Sequence, residues 1–119
     1  MFTILPADEQ KTAALAQRER VEMPVAAMVL TVENEECGYA LFAIQRDCVT
    51  VLCLRAPDET WAEWVLRAVL NAAANRGAVD ARFSDSTWFP LVKRLGFALC
   101  NDEYTVFIAD FFNRPCCGN

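Results

Sequence analysis

Groups able to move protons or act as nucleophiles are sparse in this chain and lack their usual companions. Histidine, the commonest general base and metal ligand, is absent. The cysteines are Cys37, Cys48, Cys53, Cys100, Cys116 and Cys117, most of them inside apolar, strand-like runs. No two are spaced Cys-x-x-Cys, so neither a zinc set nor a secreted disulfide framework is expected, and reduced, packed thiols are. Cys116 and Cys117 are adjacent and offer thiol chemistry, although an exposed chain end is the simpler reading. The ending Cys-Cys-Gly-Asn lacks the aliphatic middle of a prenylation box. Glu33, Glu35 and Glu36 could supply a general base, but three carboxylates in one turn are ordinarily a solvated loop. Tyr39 and Tyr104 fall in strand-like runs, where a packed ring with a satisfied hydroxyl is expected.

These residues sit on a chain of 119 with formal charge −5 and 55% hydrophobic content, which predicts one globular domain over 1–119 with 112–119 a loose tail. A pI of 4.6 without a basic cluster argues against nucleic acid, whose affinity rests on Lys and Arg neutralising phosphates. The longest uncharged run, 23–32, is far short of the ~20 residues that cross a bilayer. No basic-then-apolar leader opens the chain, and a cytoplasmic location with no membrane association is expected.

Periodicity places the elements. A short strand at 2–5 precedes a helix over 7–21 that starts at Pro6 with Asp8 and Glu9 and must end before Pro24. Runs at 26–33, 37–46 and 48–55, split by polar turns, read as a three-stranded antiparallel meander. The strongest helix covers 61–76: Trp61, Trp64, Val65, Ala68, Val69, Ala72 and Ala73 form one seam and Glu63, Arg67, Asn71 and Asn75 the opposite ridge, with Gly77 as its stop. A strand at 79–84, a helix over 87–95 stopped by Gly96, and a strand at 104–111 complete the order β-α-β-β-β-α-β-α-β. This is an α/β (α+β) pattern, a mixed, mostly antiparallel sheet with helices on both faces.

The stretch Leu91-Val92-Lys93-Arg94-Leu95-Gly96-Phe97 resembles the "LYEKLGF" segment of the GNAT superfamily of acyl-CoA N-acyltransferases. Asp85 stands before it where many members carry asparagine. Cys37-Gly38-Tyr39-Ala40-Leu41-Phe42 is similar to the family's third strand, and Val65 to Leu70 followed by Asn75-Arg76-Gly77 to its long helix. The resemblance covers most of the chain. It implies acetyl-CoA as cofactor, with the fourth and fifth strands splayed around it. Thioester and pantetheine would bond backbone at Leu54, Arg55 and Ala56, and the pyrophosphate would meet helix amides near Thr60, Trp61 and Ala62.

Two parts of the family pattern are missing. The glycine-rich pyrophosphate loop aligns with Pro57-Asp58-Glu59-Thr60-Trp61-Ala62, of which only Ala62 fits. The tyrosine that protonates the leaving thiolate in many members aligns with Val92. Thr60-Trp61-Ala62-Glu63 reads instead as a capping box, with Thr60 accepting from the Glu63 amide and the Glu63 carboxylate reaching back. Asp58 and Glu59 add negative charge where a diphosphate would sit. Side chains at Asp58 and Thr60 also hinder the approach that glycines permit.

Trp61, Trp64, Trp88, Phe83, Phe89 and Phe97 gather aromatics near the expected cleft, where they form core or, for Trp61 and Trp88, fill the splay. The apolar segment 107–112 reads as an edge that a homodimer would cover. Two functions follow: a GNAT-shaped binding or assembly module with a degraded acyl-CoA site, or an acetyltransferase that positions acetyl-CoA for direct attack by a small amine. The absent loop and tyrosine favour the first.

Overall fold

The computed structural model describes residues 1–113. The strands are β1 (Phe2–Pro6), β2 (Ala26–Val32), β3 (Glu35–Gln45), β4 (Cys48–Arg55), β5 (Asp80–Phe83), β6 (Ala98–Cys100) and β7 (Glu103–Phe107). The helices are α1 (Glu9–Arg18), α2 (Glu59–Asn75), α3 (Phe89–Arg94) and α4 (Ile108–Asn113), with a 3-10 turn at Ser86–Trp88. One sheet runs β1-β2-β3-β4-β5-β7-β6, and only β4 and β5 are parallel neighbours. That mixed, mostly antiparallel sheet is the one the periodicity predicts.

Local chemistry sets the boundaries. Glu33 and Asn34 both have positive φ, the pattern of a two-residue hairpin turn whose twist matches the strands it joins. Asp8 caps α1, accepting from the Lys11 amide at 2.8 Å. Gly77, at φ +95°, ends α2: its amide bonds Ala74 and the Ala78 amide bonds Ala73, each at 3.0 Å. Gly96, at φ +102°, stops α3 in the same way.

The larger core lies between the sheet and α2. Ala62, Val65, Leu66, Val69, Leu70 and Ala73 bury against Met28, Leu30, Ala40, Phe42, Val49, Val51 and Leu54, with Phe83, Phe97 and Phe111 closing its far end. On the opposite face Leu15 of α1 packs on Ala27, Leu41 and Cys53. Helices therefore do cover both faces.

Three sequence expectations are corrected. The first helix is ten residues long rather than spanning 7–21. The run 98–107 is a hairpin, because Asn101 and Asp102 both take positive φ and fold Ala98–Cys100 back on β7. The expected strand over 104–111 stops at Phe107. Phe107 pairs with Asp80, the first residue of β5, so among the described residues no partner strand extends further, and the chain turns into α4 to bury Ile108 and Phe111. The segment taken as an apolar edge is thus an inner strand followed by a helix. Cys116, Cys117 and most of the expected tail lie outside the described residues.

Candidate functional site

β4 and β5 form a V. They pair from Cys48 opposite Asp80 to Val51 opposite Phe83, the Ser84 amide adds a bond to Val51 at 3.0 Å, and the strands then part. Leu52 causes the parting. It is an extra residue in the β3–β4 ladder, because Phe42 faces Val51 while Leu41 faces Cys53, and such a bulge bends its strand. Gly38 holds the other side of β4 close. A Cβ there would lie 2.5 Å from the Arg55 carbonyl oxygen.

Beyond the bulge the polar groups of Leu54 point into the V, and side chains from the far limb take both. The Leu54 amide donates to Asp85 Oδ2 at 3.0 Å. The Trp88 indole Nε1 donates to the Leu54 carbonyl at 2.7 Å. Asp85 is fixed in turn by the Thr87 amide at 3.2 Å, which makes it the cap of the 3-10 turn carrying Trp88. Strand, turn and indole lock one another.

Arg55 leaves the end of β4 and forms a two-point pair with Glu19 from the end of α1, at 2.7 and 3.0 Å, with Asp85 at 3.9 Å. The Tyr39 hydroxyl also donates to Glu19. Hydrogen bonds from Arg55 outweigh desolvation and hold the Glu19 carboxyl at about 2, while Glu19 raises the Arg55 guanidinium in return. Burial first, then Glu19, pushes the Tyr39 phenol up, and burial pushes the Cys53 thiol up to about 12. At neutral pH the cluster holds an ionised, fully engaged carboxylate and two protonated groups, so none is poised as a base. The groove above it is about 270 Å³, below the usual range for a ligand pocket, and is lined by Leu52, Cys53, Ser84 and Ser86 beside the charged groups.

The entrance to α2 is closed differently from the sequence expectation. The cap is Asp58, whose Oδ1 accepts from the Trp61 amide at 3.0 Å; Thr60 is the second residue of the helix. Starting at Glu59 gains a backbone bond from Ala62 to Asp58 and frees Glu63 to pair with Arg67 at 2.9 Å, one turn on. The Thr60–Glu63 capping box is therefore corrected to an Asp58 cap. Glu59 pairs with Arg94 of α3 at 2.8 Å.

Of the sequence-derived site residues, the structure brings Leu54, Arg55 and Asp85 into one network. Ala56 packs partly buried against the main core, Thr60 is exposed, Trp61 turns to Phe2 at 5.1 Å, and Ala62 lies on the buried face of α2. Glu33 pairs with the Met1 ammonium and Glu36 with Lys11, both away from the groove, while Tyr104 stacks on Phe89 at 4.8 Å. Val92 is buried in the core. Glu19 was not singled out from sequence, since a lone glutamate near a helix end carries no signal until Arg55 is folded against it.

Comparison with solved structures matches this architecture. The E. coli ribosomal-protein-S18-alanine N-acetyltransferase superposes with TM-score 0.70 over 91% of this chain and 94% of that one, at 13% identity. The chain has the GNAT fold. A protein assigned to the GNAT family from Desulfovibrio desulfuricans gives 0.69 over 91% and 99%, at 10% identity. The PaiA N-acetyltransferase of Thermoplasma acidophilum, solved with coenzyme A, gives 0.59 over 80% and 65%, at 11% identity. No family model matches the chain, and no curated protein matches it by sequence. The GNAT fold thus appears without a sequence relationship that carries an activity. Among the described residues no helix is long and apolar enough to cross a membrane.

Proposed function

We propose that this chain is a GNAT-fold binding or assembly module whose acyl-CoA cleft is filled by its own side chains. The observation that carries the reading is the double engagement of Leu54, where Asp85 and Trp88 already hold the amide and carbonyl that would receive a pantetheine arm. The residues do not fit the coenzyme at the helix entrance either. Asp58 occupies the Trp61 amide, and with Glu59 it places negative charge where a diphosphate would lie. Displacing a carboxylate from a backbone amide costs about 1.5–3 kcal/mol before any new contact is made.

Thermal melts with and without millimolar acetyl-CoA test this. The expected midpoint is unchanged. A coenzyme present at about 100 times its dissociation constant adds ~2.7 kcal/mol and moves the midpoint by several degrees, and that result would overturn the proposal.

The retained V, opening beyond the Leu52 bulge, supports a second reading, acetyl transfer from acetyl-CoA to a small amine by direct attack. In that case Asp58→Gly combined with Trp88→Phe, which frees the Trp61 amide and the Leu54 carbonyl and leaves only the Leu54 amide with Asp85, tightens acetyl-CoA binding. Unchanged or weaker binding in the pair counts against it.

A further inference from the structure

The sheet has two edges, and they are built differently. β6 is three residues long and ends in the Asn101-Asp102 turn, a blunted edge. β1 is five residues long, and Met1–Ala7 contains no charged side chain in a chain of net charge −5. Its exposed apolar groups lie on both faces: Leu5 is 58% exposed on one, and Phe2 is 43% exposed on the other, beside Trp64 of α2 at 6.0 Å, itself 49% exposed.

The ladder fixes which backbone groups face outward. Glu33 donates to the Met1 carbonyl at 2.9 Å and Ala7 donates to the Ala27 carbonyl at 3.0 Å. Those two pairs share the register of Phe2 opposite Val32 and Thr3 opposite Thr31. Antiparallel pairs alternate, so Thr3 and Leu5 bond inward to β2 while Phe2, Ile4 and Pro6 turn their polar groups to the outside. Pro6 has no amide to offer, which leaves the amides of Phe2 and Ile4 as the outward donors.

We infer that β1 is a self-pairing edge, and that two copies of this chain join β1 to β1, antiparallel, with Ile4 on the two-fold axis. In this register Ile4 faces its copy, Phe2 faces Pro6 and Thr3 faces Leu5. Each Ile4 amide meets the other Ile4 carbonyl and each Phe2 amide meets a Pro6 carbonyl, so both outward donors are used, and the missing amide of Pro6 leaves only the Phe2 carbonyl at each end of the pairing to solvent. Leu5 covers Thr3 of the other copy, and both Phe2–Trp64 patches lie on one face of the joined sheet. A strip whose one charge, the Met1 ammonium, is already paired with Glu33 lets two acidic chains approach. A five-residue pairing with these side chains buries less than the ~800 Å² per partner of a standard interface, which sets the dimer in the weak class, on the order of micromolar. β2 and β3 separate β1 from the V, so the pairing goes beyond the proposed cleft closure and does not depend on it.

Sedimentation equilibrium of the full chain across the micromolar range tests this. The wild type is expected to approach twice 13.3 kDa and to fall back on dilution. Ile4→Pro deletes the outward amide on the axis and keeps the inward bonds of Thr3 and Leu5 while trimming a half-buried side chain, so the folded variant should stay at the single-chain mass with the circular dichroism spectrum of the wild type. Should that variant misfold, Leu5→Lys, which points a charge at Thr3 of the other copy, should also remain single. A wild type at 13.3 kDa at every concentration overturns the inference, including the case where β1 accepts a foreign strand instead; so does a folded variant that still doubles. Neither result alters the acetyl-CoA melt, which decides the cleft separately.

Discussion

The two carboxylate oxygens of Glu19 receive the Arg55 guanidinium at 2.7 and 3.0 Å, and this pair ties the end of α1 to the end of β4. Its folded value of about 2 lies below the ordinary 4.5, so the unfolded chain binds more protons between those limits. The stabilisation is complete above pH 4.5 and disappears as pH falls toward 2. Because the Arg55 side chain is half exposed, screening reduces it to about 1–2 kcal/mol. Urea unfolding of Glu19→Gln is therefore expected to show a shallower loss of stability on acidification than the wild type; parallel curves would mean that the pair adds nothing. At the same scale Trp88→Phe strips the Leu54 carbonyl of its donor and should cost about 1–3 kcal/mol in urea. The sequence offered Leu54, Arg55 and Asp85 through a family likeness, but not their mutual bonds. Asp85 and Trp88 lie three residues apart on a turn, and only the parting of β5 from β4 aims both at one backbone unit.

Among the elements, α2 was the most legible, because a long apolar seam opposite a polar ridge has no other stable use. Its start was less so. Asp58 and Thr60 both suit a cap, and the contest goes to the position that adds backbone bonds and aligns Glu63 with Arg67. Asp58→Ala should lower stability by about 1 kcal/mol, whereas Thr60→Ala should leave it nearly unchanged; equal effects would restore the Thr60 cap. Glycine inside a strand pattern marks close backbone approach, and Gly38 is such a case. Gly38→Ala must push Arg55 outward and is expected to cost about 1–3 kcal/mol, with weaker protection of β3 and β4 amides in hydrogen exchange. Full protection would show that the ladder yields without loss.

For the whole molecule, the core ends where α4 folds over it. Phe111 is buried, meets Phe97 at 6.0 Å and carries the Arg67 guanidinium over its ring at 5.3 Å. Phe111→Ala is expected to cost about 3–5 kcal/mol by thermal or urea unfolding; a loss below about 1 kcal/mol would make α4 an ornament rather than a lid on the core. This segment read as strand because apolar density alone cannot tell a strand from a short capping helix, and the choice rests on whether a neighbouring strand is there to pair. Composition and periodicity by themselves determined a mixed sheet covered by helices and the positions of β4 and α2, since local spacing decides which face of an element is apolar. Tertiary structure decided what fills the V, how α2 is capped, that 98–107 folds as a hairpin, and that β1 rather than 107–112 is the open edge. Each of those outcomes depends on a partner distant along the chain, and spacing within a segment carries no information about what will arrive from elsewhere.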